Sequence, residues 1–275
     1  MWTVNTVVGK LFDLVFLPFR SLNPWAGMVF ISLLTGLLML FIYRLTSNQT
    51  GIREVKTRIK AHLLELRLYK DNMGVTMSAQ GRILRANLRY IALNFKPLLV
   101  MIVPLVLILA QLNLWFGSEP LCAGRPAILK VNLAPPATPS DLDIGLEAPP
   151  QITVETPALR IDELGEVDWR IRPESPGTFD LTIRAGEQSV RKAVVVGGRP
   201  LQKVSTLRVR RSFLDELLYP GEKPLPGEHP VRSVELAYPA QRLGLFGLRV
   251  HWLIAYLGLS IIFGFALKRP LGVEI

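Results

Sequence analysis

Three stretches of this chain stay apolar for the length of a bilayer crossing: residues 25–43, 97–116 and 250–267. About 20 residues rising 1.5 Å each span a hydrocarbon core, so each stretch is expected to be a transmembrane helix. A tryptophan stands near one border of each (Trp25, Trp115 and Trp252), the residue type that gathers at membrane–water boundaries. Between the first two, over 44–96, the period changes. Ile52, Val55, Ile59, Leu63 and Leu66 follow spacings of 3, 4, 4 and 3, and Met77, Leu84, Leu88, Ile91 and Phe95 continue at 7, 4, 3 and 4. Heptad-like seams of this kind predict a coiled-coil hairpin, with antiparallel arms of about 30 Å. Its turn is expected at Asp71-Asn72-Met73-Gly74, where Gly74 is available for a left-handed cap.

Residues 1–24 read as an amphipathic helix lying in the external interface. Thr3, Thr6, Lys10 and Asp13 share one stripe, while Val4, Val7, Val8, Leu11, Leu14 and Val15 cover the rest. A cleaved signal peptide is the competing reading; Lys10 and Asp13 interrupt its apolar region and no A-x-A-like site follows. Residues 21–24 then turn the chain into the first span. Beyond the second span, over 117–249, the period falls to two. Alternating segments at 151–156, 166–172, 178–184, 189–196, 204–211 and 231–238 are punctuated by turn clusters at 173–177 and 197–200. A proline-rich lead of 133–150 precedes them, and 212–219 suits a turn or two of helix. Short strands so punctuated predict an antiparallel β-sandwich of immunoglobulin-like type. The expected fold is therefore an α-helical membrane protein of three transmembrane helices, with a cytoplasmic helical hairpin and an external β-sandwich.

Charge orients this arrangement. The 275 residues are 49% hydrophobic and carry a net charge of +10. Segment 44–96 holds eleven Lys and Arg against three acids, a net +8, whereas 118–249 balances 17 against 17. Short basic loops stay in the cytoplasm, while long domains cross largely regardless of charge. The hairpin is thus expected inside, and the N-terminus and β domain outside. Residues 268–275, opening on Lys268 and Arg269, form a cytoplasmic tail, and the location is the cell membrane of a prokaryote. Arg53, Lys56, Arg58, Lys60, Arg82, Arg85 and Arg89 are candidates for contact with anionic headgroups, a client or a ribosome. Each contributes about 1 kcal/mol near an acidic membrane surface. The plainer alternative is a solvated hairpin whose charge only sets orientation.

Catalytic chemistry has no foothold. His62, His229 and His251 are dispersed and Cys122 is alone, which offers neither a metal cluster nor an internal disulfide. No phosphate-binding loop and no G-x-G-x-x-G stretch occurs. Asp162/Glu163 and Asp215/Glu216 suit a solvated surface. The expectation is a protein that is not an enzyme and needs no cofactor or metal. The spans are more suggestive. Met28, Ser32, Thr35, Met39 and Tyr43 fall within about 80° of one helix face. Met101, Pro104, Ile108 and Gln111 form a second face, and Tyr256 and Ser260 a third. Ordinary helix packing uses the same small and polar residues. Together they also suit a weakly polar, methionine-lined groove for varied apolar segments. Arg44 stands at its cytoplasmic end, where it can snorkel.

The order of elements resembles the YidC/Oxa-type membrane protein insertase superfamily, in its three-span branch. Tyr43-Arg44-Leu45-Thr46-Ser47-Asn48-Gln49 is similar to the family's Y-P-L-T-x-x-Q entry into the cytoplasmic hairpin. Lys96-Pro97-Leu98-Leu99-Val100-Met101-Ile102-Val103-Pro104 is similar to the F-P-L-L-x-x-x-P start of a core span, with one extra residue. Phe19 and Asn23-Pro24-Trp25-Ala26-Gly27 resemble the interfacial helix and the N-W-G entrance. The position of the family's groove arginine, four residues before the tyrosine, is Met39 here, with Arg44 nearby. The β domain stands where bacterial members carry two further spans. The resemblance implies an energy-independent insertase or intramembrane chaperone. Its groove would comprise Ser32, Thr35, Met39, Tyr43, Arg44, Met101, Pro104, Gln111 and Ser260. Its partners would be membrane lipids and newly made membrane proteins, with the ribosome and other membrane subunits as further partners and no role for DNA. The competing function is a membrane-anchored binding or scaffold protein whose β-sandwich recognises an envelope partner, or a subunit of a larger membrane complex. Protease added to intact spheroplasts is expected to cut within 118–249 and spare 44–96; the reverse pattern on an immunoblot would invert the topology.

Overall fold

The computed structural model describes residues 2–69, 73–245 and 247–274. The expected turn at Asp71 and Asn72 lies outside the described residues. The chain divides into two compact units: Met1–Gly27 with Val106–Trp252, and Met28–Leu105 with Leu253–Ile275. The first is mostly β-structure and the second is helical.

In the first unit, helix α1 (Trp2–Phe16) buries Asn5, Gly9, Phe12 and Phe16, one stripe at spacings of 4, 3 and 4. Phe16 packs its ring 4.9 Å from Trp115 and 5.6 Å from Phe116. The Arg20 guanidinium lies 5.5 Å from the Trp115 ring centroid, a cation–π contact. Val4, Val7, Leu11 and Leu14 point outward. A 3-10 turn (Leu17–Phe19) follows.

Two antiparallel sheets share one core. The larger has the order β3 (Ile152–Val154), β5 (Glu166–Pro173), β1 (Ala127–Leu133), β9 (Val231–Leu236), β8 (Leu207–Val209), with β4 (Leu159–Ile161) also paired to β5. The smaller runs β2 (Ile144–Glu147), β6 (Gly177–Ala185), β7 (Gln188–Val196). Leu129, Val131, Trp169, Ile171 and Val234 from one sheet meet Ile144, Leu181, Ile183, Val190 and Val194 from the other. Period-two burial along β1, β5 and β6 is what places one face of each strand there. The β6–β7 turn uses Gly186 at φ +61°, which matches the twist that two-residue hairpins demand. A helix α5 (Phe213–Leu218) and a hairpin β10 (Arg242–Leu245)–β11 (Leu248–His251) complete this unit.

The second unit is built from helices α2 (Pro24–Thr46), α3 (Gln49–Leu68), α4 (Met73–Phe116) and α6 (Trp252–Leu267), of which α2, α4 and, through Trp252, α6 also contribute residues to the first unit. Asn48 caps α3, its side chain accepting from the Gly51 N–H at 2.9 Å. Leu40, Tyr43, Ile52 and Val273 form a small core at the base of the hairpin. There Glu274 lies 3.9 Å from Arg53 and 3.6 Å from Lys56.

Two helices, Pro24–Thr46 and Thr76–Phe116, are long and apolar enough to cross a membrane; Trp252–Leu267 is a shorter apolar helix. The expected third span, 250–267, starts later because Val250 and His251 pair with Leu243 and Arg242 in the hairpin. The hairpin's second arm and the stretch 97–116 are one 44-residue helix, with Pro97 and Pro104 inside it. The seam of that arm also differs from the heptad expectation. Met77, Leu84, Leu88, Ile91 and Phe95 are about 60% exposed, while Ala79 is buried and Arg82 reaches Glu65 at 2.5 Å across the arms. Ala79 and the Arg82–Glu65 ion pair take inner positions with Ile83 half-buried, while these five large apolar side chains turn outward.

A lysine lies deep inside the β unit. Lys192 is fully buried, its Nζ donating to the Glu222 carboxylate and, at 2.7 Å, to the Ser205 carbonyl. Burial pushes its pKa down, against the pull of Glu222. Lys192→Ala would leave Glu222 without its partner, and removing one member of a buried pair costs about 3–5 kcal/mol. Lys192→Met with Glu222→Leu is expected to cost far less. Calorimetric unfolding of the purified protein checks this; equal losses would contradict it.

Candidate functional site: an apolar groove in the helical unit

The helical unit opens a groove of about 480 Å³ whose wall is almost wholly apolar. Helix α2 supplies Gly36, Met39, Leu40 and Tyr43, α4 supplies Tyr90 to Met101, and α6 supplies Leu257 to Phe265. Its width is set by close backbone approach. A Cβ placed on Gly36 would stand 3.3 Å from both the Ser260 carbonyl and the Phe263 Cβ, and 3.4 Å from the Gly264 nitrogen. A side chain there would make its neighbours give by a few tenths of an ångström, so glycine suits this close meeting of α2 and α6. A polar pair lies among the apolar lining: the Tyr43 hydroxyl donates to Asn94 Oδ1, while Asn94 Nδ2 donates to the Tyr90 carbonyl at 2.7 Å.

Buried hydroxyls form a second polar element. Ser32 and Thr35 are buried, and the Tyr256 hydroxyl lies against those of Thr35 and Ser260. The hydroxyls of Ser32, Thr35, Tyr256 and Ser260 are all buried without a hydrogen-bond partner. Unsatisfied buried hydroxyls cost about 1–3 kcal/mol each.

Of the residues expected in a groove, Met39, Tyr43, Met101 and Ser260 line it. Ser32 and Thr35 are buried on α2 outside the groove lining, Thr35 beside the Tyr256 hydroxyl. Arg44 is exposed, with Nη1 donating to the Leu271 carbonyl at 3.2 Å. Pro104 is half-buried in α4. Gln111 belongs to the β unit, where it is buried beside Gly9. Gly36, Tyr90, Asn94 and Gly264 were not anticipated. Two signals could have found them: the small-x-x-x-small pairs Ser32/Gly36 and Ser260/Gly264, and the single helical face shared by Tyr90, Asn94 and Met101.

The basic residues of the hairpin divide into two groups. Arg53 and Lys56 face Glu274, as described above. Arg58, Arg82, Arg85 and Arg89 surround a crevice of about 150 Å³ with His62. His62 Nδ1 stands 3.2 Å from Glu65. Hydrogen bonds from His62 first, then Arg82, hold the Glu65 carboxyl below the usual range. Lys60 is exposed on α3. His229 is buried in the β unit, its Nδ1 accepting from the Val231 N–H at 3.0 Å; burial first, then Arg208 and Arg210, push its pKa down. Among the described residues no three metal-ligating side chains converge.

No family model matches the chain, and no curated protein matches it. Among solved structures, domains 4 and 5 of the S-layer protein SbsC are similar over 30% of this chain and 48% of theirs, at 17% identity and a TM-score of 0.24. The S-layer protein rSbsC(31-844) is similar over 34% of this chain and 13% of its own, at 16% identity and a TM-score of 0.23. Likenesses this slight and partial carry no argument about fold or function.

Gly36→Val is expected to force α2 from α6, because the atoms it meets are mostly backbone. Overpacking of this kind costs about 1–3 kcal/mol. A lowered melting temperature of the purified protein, with Gly36→Ala intermediate, is the expected result; an unchanged value would argue against close packing at this point.

Proposed function

We propose that the chain is an energy-independent membrane protein insertase, or intramembrane chaperone, embedded through α2, α4 and α6. Its basic hairpin would face the cytoplasm, and its immunoglobulin-like β unit the outside. The observation that carries this reading is the run of exposed apolar residues on α4. Met77, Leu84, Leu88, Ile91 and Phe95 form an outward stripe, and Ile91, Phe95 and Leu98 are at the same time part of the groove wall. The stripe is a path that ends in a groove of matching chemistry.

In this mechanism an apolar client segment meets the stripe while the surrounding arginines and lysines hold acidic headgroups or a ribosome surface. It then moves along Leu88 and Ile91 into the groove. Met39 and Met101 adapt to side chains of different shape. Tyr43, Asn94 and the Ser260 hydroxyl receive short polar flanks, lowering the cost of taking them out of water. Burial of client apolar surface contributes roughly 25 cal/mol per Å², so the step runs without nucleotide.

A photoreactive residue at Met101 is expected to crosslink to nascent membrane proteins in cells, giving a family of products of many sizes. A single product of fixed mass would instead identify a partner subunit. Reversing Arg53, Lys56, Arg58 and Lys60 to Glu is expected to impair client insertion while the protein remains folded. Unchanged insertion of short-tailed clients by correctly oriented mutant protein would contradict the role given to the hairpin.

A further inference from the structure

The β unit balances its charges as a whole, yet one cleft gathers three arginines. The ends of β1, β8 and β9 and the start of α5 enclose about 630 Å³ of mostly polar lining. Arg210, Arg211 and Arg232 line it, with Asp215 as a counter-charge in the wall. Arg211 Nε is 3.5 Å from the Glu216 carboxylate. Arg210 and Arg232 have no carboxylate partner among the described residues, and Arg210 Nε is buried without any hydrogen-bond partner. Guanidinium groups offer a planar fork of donors that matches a phosphate. Three of them in one cleft, two unpaired, leave a surplus of positive charge and unused donors.

A second observation places an apolar element beside this cleft. Ser212 and Asp215 line it, and the two residues between them, Phe213 and Leu214, are 64% and 63% exposed. Leu218, one turn on, is also exposed. Helix α5 is tied to α1: the Trp2 N–H donates to the Glu216 carboxylate at 3.0 Å, and Asn5 Nδ2 donates to the Glu216 carbonyl. The outward face of α1 is itself apolar, through Val4, Val7, Leu11 and Leu14. Phe213 and Leu214 are thus exposed on an element fastened to α1, whose own outward face is apolar.

We propose that this cleft binds the phosphate of an anionic lipid headgroup, with Arg210, Arg211 and Arg232 on the phosphate oxygens and Phe213 and Leu214 among the acyl chains. A free phosphate would satisfy the arginines but would leave the apolar pair in water; a phospholipid satisfies both. The β unit would then be held to the outer leaflet at a second point, beside α1. This inference rests on the membrane residence proposed above, and not on client insertion.

The test uses the full chain in a neutral detergent, titrated calorimetrically with dihexanoyl phosphatidylglycerol, with inorganic phosphate and with dihexanoylglycerol, which lacks the phosphate. The short phosphatidylglycerol is expected to bind at least tenfold more tightly than inorganic phosphate, and dihexanoylglycerol not to compete. R210Q/R232Q is expected to weaken lipid binding at least tenfold. R232Q alone, at an exposed position, should weaken it severalfold and guards against a folding defect at Arg210. F213S/L214S should weaken the lipid about tenfold and leave inorganic phosphate unchanged. Equal affinity for lipid and inorganic phosphate, with F213S/L214S silent, overturns the lipid assignment in favour of free phosphate. Absence of binding to both, or binding unaffected by the arginine changes, overturns the site. Client insertion does not enter these readouts, so failure here leaves the insertase reading standing, and wild-type lipid binding by a protein that inserts nothing removes only that reading.

Discussion

The helical unit depends on a contact made without a side chain. At Gly36 the backbone of α2 reaches the Ser260 to Gly264 segment of α6, and dispersion across such close-set backbones takes the place of interdigitating side chains at this level. Drawing α2 and α6 together at one level leaves Met39, Tyr43, Met101 and Phe265 to line an open groove. The hydroxyls of Ser32, Thr35 and Ser260 are short enough to fit the same tight packing, which is how polar groups come to be buried among apolar helices.

The β unit is organised by a different constraint, the two-residue period of its strands. Leu129, Val131, Trp169 and Ile171 face one interior while Lys130, Asp168 and Arg170 face outward. Outward charges pair across neighbouring strands, as Lys130 does with Glu166 at 2.8 Å and Arg170 with Glu155 at 2.9 Å. Exposed pairs of this kind contribute little individually; their effect is to leave the domain near electrical neutrality. Against that balanced background the unpaired arginines beside α5 are a local exception, and so is the buried Lys192.

Much of this was legible from the residues. Strands β5, β6 and β7 follow the alternation and turn clusters within a residue or two, because the period and the glycine turns agree. Strand β1, central to the larger sheet, was missed although Ala127 to Leu133 alternates as cleanly; its proline-rich sequel drew the reading toward a linker. Val250 and His251 were assigned to a span because apolar composition alone does not separate a strand end from a helix start. The heptad of the second arm located a real stripe on the wrong side. Spacing defines a face, but what covers that face depends on the partner helix, and here Ala79 and the Arg82–Glu65 pair took the inside. In the groove, Met39, Tyr43, Met101 and Ser260 emerged from helical periodicity. Asn94 and Gly36 did not, since one acts through a tertiary hydrogen bond and the other through the absence of a side chain.

The unbroken course of α4 has a mechanical consequence. Proline has no N–H, so Pro97 and Pro104 each delete a rung of the helical ladder, freeing the carbonyls of Leu93 and Val100. The two missing rungs bracket Leu98 and Met101, both in the groove wall. The arm that carries the exposed stripe is therefore a stiff rod joined to a pliant joint, and a load on its far end would be felt first as a change in the bore of the groove.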